Sequence, residues 1–178
     1  KARYLLGESW LALGDAEGAE KVFRGLLEKK PDSVPLLGAL GRALAAREKH
    51  EAAMEVLRKA LRLDEKDVVA RRALGGCLAA QGKPVEARKE YERALQADPA
   101  DPLTARVLVE LLVKAGDVGT AARAAETHQK ADPKSAMGDF LQLKDSSLWM
   151  SYTQDGVGIM GIKSADRGKT WGNPSVLT

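Results

Sequence analysis

Residues 74–99 read LGGCLAAQGKPVEARKEYERALQADP, and this stretch decides the fold. Two helical segments flank the glycine at position 82, and a proline at position 99 closes the second. The same arrangement recurs along the chain with a 34-residue period. The residues in register are Gly14, Gly82 and Gly116; Pro31, Pro99 and Pro133; and Ala19, Ala53, Ala87 and Ala121. A period of this length predicts a solenoid of stacked helix pairs.

The repeated residue types indicate close helix packing. Small residues at the Ala and Gly positions let neighbouring helices approach, and Phe23, Leu57 and Tyr91 are expected to fill the hollows between them. Glycine after each first helix is expected to take a left-handed turn, although Glu48 stands at that position in the second unit. The predicted helix-capping residues are Ser33, Asp67, Asp101, Ser135, Asp15 and Asp117. We predict a mainly α fold, an α-α superhelix of about four helix pairs.

The pattern resembles the tetratricopeptide repeat over residues 1–135. Leu6-Gly7, Leu40-Gly41 and Leu74-Gly75 match the Leu-Gly pair of the first helix of that repeat. The second unit departs from it at Glu48 and Glu65, and the fourth at Val109, Ala125 and His128. The resemblance implies a solenoid whose concave surface, formed by the first helices, binds extended peptides or partner helices.

The exposed first-helix positions supply the candidate binding residues. The candidates are Tyr4, Glu8, Leu11, Arg42, Arg72, Arg106, Glu110 and Lys114. Arg72 and Arg106 are 34 residues apart, so each could present a guanidinium fork to a carboxylate, unless the arginines pair with neighbouring Glu or face solvent. Small residues are expected to form a trough between them: Gly38, Ala45, Ala46, Gly76, Ala79 and Ala80. These features favour an acidic or amphipathic partner peptide or helix.

The residues present argue against one binding mode of the tetratricopeptide repeat family. Its chaperone-tail clamp uses first-helix asparagines to hold a terminal carboxylate. Glu8 and Arg42 stand at the corresponding positions, and the one Asn of the chain is Asn173.

A different composition begins near residue 136. Runs at 139–144, 147–153 and 157–163 predict short strands and a hairpin. The residues that follow, Ser164, Asp166, Gly168, Thr170 and Trp171, resemble the Asp-box of sialidase-like β-propellers, and residues 138–178 resemble part of one propeller blade. The resemblance implies structural roles in a turn for these residues. The alternative is that residues 136–144 form a fifth first helix that caps the solenoid. We therefore predict a repeat domain at 1–135 and a partial blade or capping extension at 136–178.

No cofactor, metal or catalytic site is predicted. The two histidines, His50 and His128, lie in separate units without cysteine nearby, and His128 is expected to be a core residue with one hydrogen bond. The Gly168-Lys169-Thr170 run lacks the upstream glycine of a phosphate-binding loop. Cys77 is the one cysteine and is expected to pack in the core. Residues 136–178 hold one Arg and no Glu, so the sialidase site cannot be assembled there.

The charge balance also limits the choice of partner. The 28 Lys and Arg residues nearly offset 25 Asp and Glu, so nothing calls for nucleic acid, and no apolar run is long enough to span a membrane. We expect a soluble chain. Because Lys1 stands where Met would, a signal peptide could have been removed or lost with missing upstream repeats, so the compartment is left open, with a lean to the bacterial periplasm or secretion.

Three functions follow as expectations. The first is a non-enzymatic scaffold that binds a peptide or partner helix in the concave groove. The second is a piece of a secreted sialidase-like glycan-processing protein in which the repeats serve for docking. The third is self-association through the ends of the solenoid.

Overall fold

The computed structural model describes residues 2–131, 140–142, 148–154, 158–164 and 175–176. The chain forms two compact units, Lys1–Asp98 and Pro99–Thr178. The first unit contains three helix pairs linked by short turns. Its helices are α1 Ala2–Ala12, α2 Ala16–Leu27, α3 Val34–Ala46, α4 His50–Leu63, α5 Val68–Ala80 and α6 Pro84–Ala97.

Helices of the first unit pack in chain order. Each helix contacts the next one along the chain, and in addition α1 contacts α3 and α3 contacts α5. The first helices of the three pairs therefore lie side by side in one layer. The predicted stacking of helix pairs is confirmed within this unit.

The predicted pairing of small and large residues accounts for the core. A Cβ atom added to Gly7 would lie 2.7 Å from the Phe23 ring, and one added to Gly75 would lie 2.5 Å from the Tyr91 ring. Leu57 lies equally close to Gly41. Three alanines at the small position are fully buried: Ala19, Ala53 and Ala87. The 34-residue period therefore encodes a repeated contact between the Gly of a first helix and the large residue of its partner helix.

Helix ends in the first unit follow the local sequence. Asp15 accepts a hydrogen bond from the Gly18 amide at 2.8 Å, and Asp67 accepts one from the Ala70 amide at 2.6 Å. Ser33 precedes α3 as predicted but makes no side-chain cap, and proline follows at the first turn instead. The turn residue after each first helix has a positive φ: 86° at Gly14, 60° at Glu48 and 72° at Gly82. Glu48 thus adopts a left-handed conformation that favours glycine.

The second unit holds the fourth helix pair and a small sheet. Helix α7 spans Pro102–Lys114 and α8 spans Val118–Ala131, with Gly116 between them at φ 77°. Asp101 accepts from the Thr104 amide at 3.0 Å and Asp117 from the Thr120 amide at 3.2 Å, as the sequence predicts. His128 is buried, and its Nδ1 lies 3.0 Å from the Pro99 carbonyl oxygen, so the core-histidine prediction is confirmed.

Four short strands follow in the second unit. They are β1 Phe140–Gln142, β2 Leu148–Gln154, β3 Gly158–Ser164 and β4 Ser175–Val176, in the order β1-β2-β3-β4. All neighbours are antiparallel, with Met150 opposite Phe140 and Ile162, and Met160 opposite Val176. Their interpretation as part of a propeller blade and the predicted boundary at residue 135 stay predictions, whereas the strand at Phe140–Gln142 does not fit the alternative helix over 136–144.

Candidate functional site

Five predicted binding residues lie in the first unit, on the layer formed by α1, α3 and α5. We call this surface the first-helix face. Tyr4, Glu8 and Leu11 lie on α1, Arg42 on α3 and Arg72 on α5, and all five side chains are half-buried. Because α3 contacts both α1 and α5, Arg42 occupies the middle helix of this face.

Arg42 is held by Glu8. Its Nη1 donates to the two carboxylate oxygens of Glu8 at 3.1 and 3.3 Å. The Tyr4 hydroxyl lies near the same carboxylate, and the Tyr4 ring packs against Phe23 with centroids 5.9 Å apart. Burial, followed by the neighbouring Glu8 charge, raises the pKa of Tyr4. The face therefore carries a connected Tyr4–Glu8–Arg42 cluster.

The small residues of the predicted trough differ in exposure. Gly76 and Ala80 on α5 and Ala46 on α3 are exposed, and Ala45 and Ala79 are half-buried. Gly38 is buried, so its placement at the exposed surface was wrong. A Cβ at Gly38 would meet Val69 of the next first helix at 3.9 Å, which shows that the two helices cover this position.

The three remaining candidates lie on α7 in the second unit. Arg106, Glu110 and Lys114 are exposed. Arg106 Nε lies 3.8 Å from a Glu110 carboxylate oxygen, one helical turn away. Such exposed pairs contribute little to stability, so both side chains can exchange this contact for another at low cost. The alternative interpretation of the arginines as partners of neighbouring Glu thus applies to Arg42 and to Arg106.

Two buried ionic contacts were missed from the sequence. Glu20 on α2 is almost fully buried and accepts from Arg24 Nε at 2.8 Å, Arg47 Nη1 at 2.6 Å and Lys49 Nζ at 3.3 Å. Desolvation acts to raise the pKa of Glu20, but these three hydrogen bonds outweigh it and hold that pKa at about 2.

The second missed contact joins α5 to α6. Arg71 donates to Glu90 at 2.9 Å, and both side chains are nearly buried. The signal for both contacts lies in the repeat itself: Glu20 aligns with the buried Met54, and Arg71 aligns with the buried Leu37. A charged residue at a position that is apolar in the neighbouring unit indicates a buried ion pair.

The predicted Asp-box falls mostly outside the described residues. Ser164 is the last residue of β3, opposite Leu148. Asp166, Gly168, Thr170 and Trp171 lie outside the part of the chain that the structure describes.

Other chemistry is limited within the described residues. Burial raises the pKa of the Cys77 thiol, so the thiolate is disfavoured and the residue packs in the core as predicted. No cluster of three or more His, Cys, Asp or Glu side chains there could hold a metal ion. Among the same residues, no helix is both long and apolar enough to cross a bilayer.

The stacked helix pairs have counterparts in known proteins. Two family models described as tetratricopeptide repeat match residues 1–34 and 38–102, and residues 78–142. The chain belongs to the tetratricopeptide repeat (TPR) family. Neither match supports the predicted sialidase-like segment or the lean to the periplasm or secretion. No curated protein matches the chain.

Several solved structures share the fold. TTC0263, a thermophilic TPR protein of Thermus thermophilus, has a TM-score of 0.68 and 23% identity, over 76% of this chain and 75% of that chain. MamA has a TM-score of 0.59 and 23% identity, over 71% and 74%. The first TPR of Spaghetti (RPAP3), bound to the HSP90 peptide SRMEEVD, has a TM-score of 0.59 and 20% identity, over 65% and 94%.

Proposed function

We propose that this TPR chain is a protein-interaction scaffold that binds an acidic or amphipathic segment of a partner on its first-helix face, without catalysis of its own. The observation that carries the proposal is the Tyr4–Glu8–Arg42 cluster, which places a half-exposed guanidinium on the middle helix of that face. Gly76 on α5 is exposed and carries no side chain, so a peptide backbone can approach the helix closely there.

The first TPR of Spaghetti, which shares the fold, was solved with the HSP90 peptide SRMEEVD bound, and this supports peptide binding as a use of the fold. The mode of recognition proposed for our chain differs. Glu8 and Arg42 replace the asparagines expected of a clamp for a terminal carboxylate. Recognition would instead rest on carboxylate side chains that approach Arg42 and Arg72, together with apolar contacts near Leu11.

Fluorescence anisotropy with two peptides tests the proposal. The first is a fluorescein-labelled Glu-Leu-Glu-Glu-Leu-Leu-Glu-Glu peptide, and the second replaces every Glu by Gln. We expect the acidic peptide alone to bind, and we expect Arg42→Glu with Arg72→Glu to abolish binding while the helical circular dichroism signal persists. Unchanged binding of the acidic peptide by that double variant would show that these arginines do not contribute to binding.

The SRMEEVD peptide separates the two modes of carboxylate recognition. If side-chain carboxylates are recognised, the free and the C-terminally amidated forms of this peptide bind with equal affinity. A strong preference for the free carboxylate would contradict the proposal, because it would indicate a clamp for the chain terminus.

Self-association is a second candidate, and one observation favours it. Leu6 on α1 is 43% exposed, whereas the equivalent Leu40 and Leu74 are 3% and 6% exposed. Leu5 beside it is also exposed. A second copy could cover this face in the way that α2 packs against α3. Light scattering across a concentration series tests this, and Leu6→Glu should leave a monomer at every concentration if the face is the contact.

A further inference from the structure

A groove of about 310 Å³ lies on the other side of the first unit, between α2 and α4. Its floor is apolar and consists of the buried Leu44 of α3 with Ala52 and Val56 of α4. Its rim is basic, with Arg24 from α2 and Lys59 and Arg62 from α4. None of these residues belongs to the first-helix face, so the groove is a separate surface.

The rim cations are incompletely neutralised. Arg24 donates to Glu20, but that single carboxylate is shared with Arg47 and Lys49. Lys59 Nζ lies 2.9 Å from both the Asp32 carboxylate and the Pro31 carbonyl oxygen.

Arg62 is exposed and has no ion-pair partner within the described part of the chain. Glu55 is the one acidic residue of the lining. The rim thus keeps positive charge that is not used by the fold.

The next repeat carries an ion pair at the positions equivalent to Val56 and Lys59. Thirty-four residues after Val56 and Lys59 stand Glu90 and Arg93. There, Arg93 Nη1 donates to Glu90 at 2.8 Å, so the carboxylate and the guanidinium pair across one helical turn. In the groove, Val56 provides no carboxylate for Lys59. The groove therefore lacks the carboxylate that the next repeat carries at this position, and Lys59 pairs with Asp32 instead, while Arg62 keeps no such partner within the described residues.

We infer that the groove between α2 and α4 docks a short acidic segment of a partner protein that carries one apolar side chain. The apolar side chain would contact Leu44, Ala52 and Val56, and flanking carboxylates would pair with Lys59 and Arg62. A volume of about 310 Å³ is at the small end of ligand sites, which suits a few side chains and not a whole helix.

The test uses the whole chain and a fluorescein-labelled Glu-Glu-Leu-Glu-Glu peptide. We expect saturable binding, measured by anisotropy, and loss of binding when Leu is replaced by Gly or when all Glu are replaced by Gln. Val56→Glu, which installs the residue of the next repeat, and Arg62→Glu should each weaken binding about tenfold. Lack of binding by the unaltered protein, or equal binding of the Gln peptide, would overturn the inference.

Two control variants assign the effect to the groove. Arg58→Glu makes the same charge change at an exposed position of α4 outside the lining, and it should leave the affinity within about twofold. Arg42→Glu alters the first-helix face and should also leave this binding intact, so failure here is distinguishable from failure of the proposed function. Equal weakening by Arg58→Glu and Arg62→Glu would reject a defined site in favour of general charge attraction.

Discussion

Arg42 on α3 donates from one guanidinium nitrogen to both carboxylate oxygens of Glu8 on α1, at 3.1 and 3.3 Å. Both side chains stay partly exposed, at 38% for Arg42 and 27% for Glu8. An acidic partner on the first-helix face must compete with Glu8 for this guanidinium. Glu8 therefore sets how strongly Arg42 can bind an incoming carboxylate.

Glu8→Gln should raise the affinity for the Glu-Leu-Glu-Glu-Leu-Leu-Glu-Glu peptide by about two- to fivefold, the size expected for releasing a partly exposed ion pair. Anisotropy titrations at low and moderate salt measure it. Glu86→Gln makes the same charge change at an exposed position of α6 and should have little effect. Weaker binding by Glu8→Gln would mean that Glu8 contacts the partner directly.

Glu20 should make the stability of the protein depend on pH. Folding lowers its pKa from 4.5 to about 2, so the contribution of Glu20 is complete above the unfolded-state pKa and is lost as pH falls from about 5 towards 2. That contribution is about 3 kcal/mol at neutral pH. Urea unfolding followed by circular dichroism at pH 7 and pH 3 should show a large loss for the unaltered protein.

Glu20→Gln is the variant that isolates this effect. It should be less stable than the unaltered protein at pH 7, because Arg24, Arg47 and Lys49 lose their shared carboxylate, and the difference should shrink at pH 3. The control is Glu86→Gln, which makes the same charge change at an exposed position of α6 and should matter little. Parallel pH dependence in Glu20→Gln and the unaltered protein would contradict the assignment.

Glu48→Gly should stabilise the first unit. Glu48 has φ 60°, whereas glycine occupies the equivalent turns at positions 14 and 82. A non-glycine residue in this conformation costs about 1–2 kcal/mol, and part of the gain is lost to the greater freedom of glycine in the unfolded chain. We expect a net gain of about 1 kcal/mol in the free energy of unfolding, and a loss of similar size for Gly82→Ala. A destabilised Glu48→Gly variant would show that the Glu48 side chain makes a contact that outweighs the backbone strain.

The repeat period predicted more of the fold than of the site. Local sterics fix the turn after each first helix, so the glycine register predicted its position even where Glu48 breaks the pattern. The Gly41–Leu57 contact follows from the same register. From the sequence alone, Arg42 could either pair with Glu8 or face solvent. The pairing depends on how α1 and α3, which belong to different repeats, pack against each other, so the sequence could not decide between the two.

The buried charge of Glu20 could not be predicted from the sequence for a related reason. Glu20 resembles an ordinary residue of an amphipathic helix until its equivalence with Met54 is considered. Even then, two of the three cations that neutralise it come from the turn between α3 and α4, and only the packed chain brings Arg47 and Lys49 to it.

Adjacent glycines on α5 should respond to alanine with opposite signs. A Cβ at Gly75 would lie 2.5 Å from Tyr91 Cε1, and the ring is buried between helices, so Gly75→Ala should cost about 1–3 kcal/mol. A Cβ at Gly76 would meet the Tyr91 hydroxyl at an ordinary 3.8 Å. Gly76→Ala should therefore gain up to about 1 kcal/mol from helix propensity.

Urea denaturation of the two single variants and of each in a Tyr91→Ala background measures the coupling. Without the ring, the cost of Gly75→Ala should fall sharply, whereas the effect of Gly76→Ala should be nearly unchanged. If Gly75→Ala is equally costly in both backgrounds, then the close approach of Gly75 to Tyr91 is not what fixes glycine at this position of the repeat.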